Sequence, residues 1–211
     1  LPFADIRVMS NPEATHRGES VAPHSPFWNV PNSISLARVG IAVFVCIALE
    51  FQAFGVAFVL FFIAAISDAL DGYLARMLGQ VTAIGRQLDP LVDKIIVIST
   101  LCYLIAFEGS GVKPWMAAVV VARELLVQAI RSVIEGQGEP FGAKWAGKLK
   151  MIAQCTAVLA SIATLDASRG GEAPSWLSIG RDASLWLMVG LTIVSGLSYL
   201  MAGWPRLTRG V

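Results

Sequence analysis

The stretch SDALDGYLARMLGQVTAIGRQLDPLVD, residues 67–93, sets Asp68, Asp71, Asp89 and Asp93 at or inside the ends of two strongly apolar runs. An ionisable group in an apolar span is costly unless it is paired, hydrated or bound to a cation, so four of them this close together call for a cation and a cleft. Asp68 and Asp71 are three residues apart, and Asp89 and Asp93 four apart. On helices each pair shares one side, and two facing helices would gather all four carboxylates at one locus. Carboxylate oxygens without nearby His or Cys suit Mg²⁺ or Mn²⁺, and four carboxylates can hold two such ions roughly 3.5 to 4 Å apart. Gly72, Ala75, Gly79 and Gly85 lie between the pairs and let a helix backbone or a large polar ligand come close. Arg76 and Arg86 flank the same segment, where they can meet phosphate charge.

Asp68, Asp71-Gly72, Ala75-Arg76, Gly85, Asp89 and Asp93 together match, without a gap or substitution, the signature of the CDP-alcohol phosphotransferase family, which this chain resembles. The resemblance implies an all-α, polytopic integral membrane enzyme of six transmembrane helices. Such an enzyme transfers the phosphatidyl group of CDP-diacylglycerol, or a related phosphate group from another CDP-alcohol, to an alcohol acceptor with release of CMP. It implies two Mg²⁺ or Mn²⁺ ions held by the four aspartates, with Asp93 as general base on the acceptor hydroxyl. It also assigns Asp68, Gly72, Ala75, Arg76 and Gly85 to the CDP moiety and suggests a homodimer in the bacterial cytoplasmic membrane. NVPNSISLAR, residues 29–38, resembles the opening of the phosphatidylglycerophosphate-forming branch, which places Asn32 with the CDP-binding residues and Arg38 near the active site.

Composition agrees with a membrane protein on its own terms. Of 211 residues, 55% are hydrophobic and only 15% charged, far from a soluble domain's balance. A net charge of +1 without a basic tail or aromatic-basic alternation excludes nucleic acid as the expected partner. Cys46, Cys102 and Cys155 each sit in an apolar run without metal-like spacing, and read as small buried hydrophobes.

Six apolar segments are expected to be helices that span the bilayer, at 33–49, 52–75, 88–107, 113–134, 148–167 and 183–203. Asn32 or Ser33 is the expected cap of the first, and Pro90 belongs in the first turn of the third. The domain division is a polar N-terminal segment at 1–28, a six-helix domain at 29–205 and a short tail at 206–211. Leaving aside Arg38, Lys94, Arg123 and Arg131 inside helices, one side carries Arg7, Arg17, Arg76, Arg86, Lys144, Lys148, Lys150, Arg206 and Arg209. The other carries Lys113, Arg169 and Arg181, and nine against three puts both termini and the aspartates in the cytosol. Trp28, Trp115, Trp145, Trp176, Trp186 and Trp204 fall near the proposed helix ends and read as an interfacial belt.

Residues 123–150 form the second informative region. Arg123 and Glu124 sit inside the fourth apolar run, Arg131 lies eight residues beyond Arg123 and near the same face, and Lys144, Lys148 and Lys150 precede the fifth. Glu124 can pair with an Arg of a neighbouring helix. Cations converging from helix ends suit a phosphate, so Arg123, Arg131, Lys144 and Lys148 are the expected acceptor-phosphate site. RELLVQAIR and AKWAGKLKMIAQ resemble segments of the branch that uses glycerol 3-phosphate. Inositol phosphate would suit the same cations, serine or another neutral alcohol less so. From a different class, a divalent-cation transporter would also place acidic residues in apolar helices. It would not ask for the intervening glycines and a separate basic cluster on the same side.

Overall fold

Apolar runs separated by short Gly-, Pro- and charge-containing links become six α-helices in the computed structural model, which describes residues 30–78, 83–136 and 145–207, with side chains over 37–67, 94–136 and 147–205. The helices are α1 (Val30–Glu50), α2 (Phe54–Leu78), α3 (Ala83–Leu104), α4 (Pro114–Gly136), α5 (Trp145–Ala167) and α6 (Ser175–Leu207). α1 packs on α2 and α3, α6 on α4 and α5, and α5 on α2, so the chain closes into one bundle. Its core runs through every helix, from Val45 and Leu49 of α1 and Phe61 of α2 to Leu101 of α3, Val120 of α4, Ile162 of α5 and Met188 of α6.

The links alternate between the two ends. At one end Arg181 Nη1 donates to Gly109 O at 2.7 Å, Arg169 donates to Gln52 O, and the rings of Phe54 and Phe107 meet edge-on at 5.3 Å. Gly111 adopts a left-handed φ of 72° after the 3₁₀ turn Glu108–Ser110, and a Cβ there would stand 2.7 Å from Arg181 Nε. Glycine thus meets both the backbone and the space requirement of that turn. Lys113, Arg169 and Arg181, grouped on one side in the charge count, all belong to this end. The opposite end carries the last residues of α2 and α4 and the first of α3 and α5.

Each α-helix covers a segment where sequence placed a helix, with α6 beginning at Ser175, eight residues before the expected start at 183, but among the described residues six membrane-spanning helices are not found. Among the described residues, two segments are long and apolar enough to cross a bilayer by length and composition, Gly147–Gly170 and Ser175–Pro205. In α4 every 18-residue stretch contains Arg123, Glu124 and Arg131, which breaks the apolar span. Among the described residues, α2 and α3 contribute the shorter apolar portions Phe54–Ser67 and Lys94–Leu104.

Three local expectations also change. α1 begins at Val30, so Asn32 and Ser33 lie inside its first turns instead of capping it. α3 begins at Ala83, which leaves Pro90 in the helix interior, where its missing N–H removes one backbone hydrogen bond. Cys102 is exposed and not buried, while Cys46 and Cys155 are half-buried.

Burial is inverted relative to a soluble bundle. Arg38, Arg123, Glu124, Lys150 and Gln154 are buried, while Phe44, Phe62, Ile66, Leu126, Ile152, Trp186 and Val194 are exposed. An apolar exterior this extensive marks a surface made for lipid or for another apolar partner.

Gly147–Gly170 is long and apolar enough to cross a bilayer, and a crossing would set its two ends on opposite faces of a membrane. In a background with Cys46, Cys102 and Cys155 changed to Ser, single cysteines at Glu108 and Glu172 are expected to react with an impermeant thiol reagent from the same side. A cysteine at Gly142 should react from the other side, and labelling of positions 142 and 172 from one side would overturn the crossing by α5.

Candidate active site

Four aspartates define the metal-binding expectation, and the helices put them at matched depths. Counted from the link 79–82, Asp71 and Asp68 lie seven and ten residues back from Leu78, the last residue of α2. Asp89 and Asp93 lie six and ten residues beyond Ala83, the first of α3. At 1.5 Å per residue both pairs stand roughly 9 to 15 Å inside the same end of the bundle. Each pair keeps the i,i+3 or i,i+4 spacing that places two residues on one side of a helix. Gly72, Ala75 and Arg76 follow on α2, Gly85 precedes Asp89 on α3, and Asn32 lies on α1 at the same end. The side chains of all these residues fall outside the described ones, as does Lys144. Among the described residues no group of three or more His, Cys, Asp or Glu side chains is placed to hold a metal ion.

The basic region is described, and it surrounds a cavity of about 340 Å³ at this same end, between α3, α4, α5 and α6. Arg123 and Arg131 of α4 and Lys148 of α5 line it, joining three of the four cations expected there. Lys94 and Lys150 also line it, so that among the described residues five cations and the carboxylate of Glu124 share the cavity with apolar side chains such as Val97, Val120 and Met151. Lys94 directly follows Asp93, so the cavity begins one residue from the aspartate cluster. Its ammonium donates to Gln128 Oε1 at 2.9 Å and stands 3.8 Å from Glu124 Oε2, which pins α3 to α4.

Glu124 is only 2% exposed, and three helices supply its counter-charges. Arg123 Nη1 donates to its two oxygens at 3.2 and 3.3 Å, and Lys150 of α5 donates to Oε1. The Arg123 guanidinium also lies 5.4 Å from the centre of the Tyr199 ring of α6, a cation–π contact. Gly196 makes this approach possible, because a Cβ there would stand 3.1 Å from Arg123 Cγ.

After these pairs are made, donors remain. Among the described residues, Arg123 Nε, Arg131 Nε and Gln154 Nε2 are buried without a hydrogen-bond partner, and all three residues line the cavity. A buried donor left unpaired costs about 1 to 3 kcal/mol, so three of them in one cationic cavity describe a site made for an anionic, acceptor-rich ligand. Gln154 was missed in the sequence. The signal for it was an amide inside the apolar run of α5, which costs desolvation unless something bonds to it. Lys94 was set aside as a helix residue, and its position beside Asp93 was the clue to its part in the site.

The family described as CDP-alcohol phosphatidyltransferase matches residues 28–195. Among characterised proteins, the CDP-diacylglycerol–glycerol-3-phosphate 3-phosphatidyltransferase of Bacillus subtilis (strain 168) is 35% identical over 195 residues, covering 85% of this chain and 97% of its own. The protein of the same name from Pseudomonas fluorescens is 35% identical over 187 residues, with 85% and 92% covered. A chloroplastic/mitochondrial one from Arabidopsis thaliana is 32% identical over 162 residues, 71% of this chain and 53% of that protein.

Proposed function

The chain belongs to the CDP-alcohol phosphatidyltransferase family, and from that membership we propose that it transfers the phosphatidyl group of CDP-diacylglycerol to sn-glycerol 3-phosphate, forming phosphatidylglycerol phosphate and CMP. It is a CDP-diacylglycerol-dependent phosphatidyltransferase of phospholipid biosynthesis. The observation that carries the acceptor is the cavity one residue from Asp93, where among the described residues five cations face one carboxylate and three buried donors lack partners. A phosphorylated alcohol fits such a lining, and a neutral one leaves its charge uncompensated.

Asp68, Asp71, Asp89 and Asp93 fit divalent cations by donor chemistry, four hard carboxylates in two helix-spaced pairs at equal depth. Two Mg²⁺ or Mn²⁺ ions bound there would neutralise the pyrophosphate charge of the CDP-lipid. Asp93 accepts the proton of the acceptor hydroxyl, whose oxygen bonds to the β-phosphorus while the bond to the CMP oxygen breaks. Beside cations, an aspartate acts as base through orientation more than through a raised pKa. Gly72, Ala75 and Gly85 leave room for the cytidine nucleotide, Asn32 borders it, and Arg76 adds positive charge. Arg123, Arg131, Lys144 and Lys148 hold the acceptor phosphate so that its hydroxyl is presented to Asp93, which converts an encounter in solution into an oriented one.

The protein is membrane-associated. The apolar exterior and the two apolar spans support lipid contact, and the nine-to-three distribution of basic residues supports a cytosol-facing site with both termini on that side. A second copy of the chain completes the reading, with a homodimer expected when detergent-solubilised protein is weighed by light scattering. Purified protein is expected to release CMP from CDP-diacylglycerol with glycerol 3-phosphate and Mg²⁺ or Mn²⁺, and to stop when the metal is chelated. Release with serine or free glycerol in preference to every phosphorylated acceptor would refute the assignment.

A further inference from the structure

Among the described residues Glu124 is the one carboxylate lining a cavity that holds five cations, and neither binding an anion nor accepting a proton from the acceptor asks for it there. A negative charge facing an incoming phosphate weakens binding, so a buried glutamate at this place must do something that offsets that cost. Its contacts say what. Its carboxylate takes Arg123 from its own helix, Lys150 from α5 and, at 3.8 Å, Lys94 from α3. Each of those three side chains also lines the cavity.

We propose that Glu124 is a positioning residue for the acceptor site, acting through Arg123 and Lys150. Lys and Arg side chains carry much rotamer freedom, and like charges packed around one cavity repel each other toward its edges. A central carboxylate holds them inward without filling the space the ligand needs. With the Arg123 Nη1 edge committed to Glu124, its Nε faces no partner, alongside Arg131 Nε and Gln154 Nε2. The cavity thereby divides its donors into some fixed by Glu124 and others left for the acceptor phosphate. The link to Lys94, whose neighbour is Asp93, ties this arrangement to the helix that carries the proposed base.

This inference rests on the acceptor reading above, and the test separates the two. The variants are Glu124→Gln, Glu124→Asp, Lys150→Gln and the double Glu124→Gln/Lys150→Gln, assayed as intact detergent-solubilised protein by CMP release. Glu124→Gln should raise the KM for glycerol 3-phosphate tenfold or more with the KM for CDP-diacylglycerol changed less than twofold. Glu124→Asp, which keeps the charge but withdraws it by one methylene, should raise the acceptor KM by a smaller factor, about threefold. In the Lys150→Gln background the Glu124→Gln change should cost less than threefold, because much of what it acts through is already gone. A merely structural role would instead lower the amount of active enzyme, leaving both KM values in place. Unchanged acceptor KM in Glu124→Gln, or in Glu124→Asp should the glutamine variant not fold, overturns the proposal, and so do fully multiplicative effects in the double variant. Failure of the wild type to use glycerol 3-phosphate would sink the acceptor reading itself, whereas wild-type turnover with an insensitive Glu124 sinks this inference alone.

Discussion

Asp71→Ala and Asp89→Ala are each expected to lower turnover by about a hundredfold or more while leaving a folded, membrane-inserted protein, the scale set by losing electrostatic stabilisation at a phosphoryl-transfer centre. These residues lie seven residues back from the end of α2 and six beyond the start of α3, at nearly equal depth from the link. Removing one carboxylate from either helix should therefore damage the same site. Folding should survive, since an alanine in a helix interior is favourable and removes a group that is costly in apolar surroundings. Asp93→Asn should be as inactive but should keep measurable CDP-lipid affinity, because an amide retains an oxygen ligand while losing the capacity to take a proton. CMP release and equilibrium binding of CDP-diacylglycerol, both against metal concentration, make the distinction. Near-normal turnover in Asp71→Ala or Asp89→Ala, with metal still required, would sink the four-carboxylate site, and joint loss of metal and lipid binding in Asp93→Asn would remove its role as base.

The reading of this chain from sequence succeeded where pattern and chemistry coincide. Six apolar runs became six helices because each is long, rich in good helix formers and ended by Gly, Pro or charge. Arg123 and Arg131 share a cavity because eight residues return nearly to the same face of a helix. What failed was the step from helix to membrane span. Hydropathy averaged over whole runs hid the cost of Arg123, Glu124 and Arg131 inside α4, and among the described residues two segments are long and apolar enough to cross a bilayer. Gln154 and the full role of Glu124 were also beyond the sequence, because no local pattern says which three helices will meet a given side chain. Packing decides that, and here it brought Lys94, Arg123 and Lys150 onto one carboxylate.

The acceptor phosphate gives the second large effect. If Arg131 donates to it, Arg131→Gln removes a charge-assisted hydrogen bond worth about 1.5 to 3 kcal/mol, or roughly ten- to a hundredfold in affinity. Arg131 is the better of the available cations for this test. Its Nε is buried without a partner, whereas Arg123 is already held by Glu124 and the Tyr199 ring. Lys148 lines the same cavity but is exposed, so Lys148→Gln should cost less, its charge being partly screened by solvent. Both losses should appear in the KM for glycerol 3-phosphate and not in that for CDP-diacylglycerol, since a contact equal in ground and transition states changes KM alone. Offering inositol 1-phosphate, serine and free glycerol beside glycerol 3-phosphate completes the measurement. A preference for inositol phosphate would keep the cationic cavity and change the acceptor. Equal rises in both KM values would instead place Arg131 outside the acceptor site, because a residue that touches only the acceptor phosphate has no route to the affinity of the lipid donor.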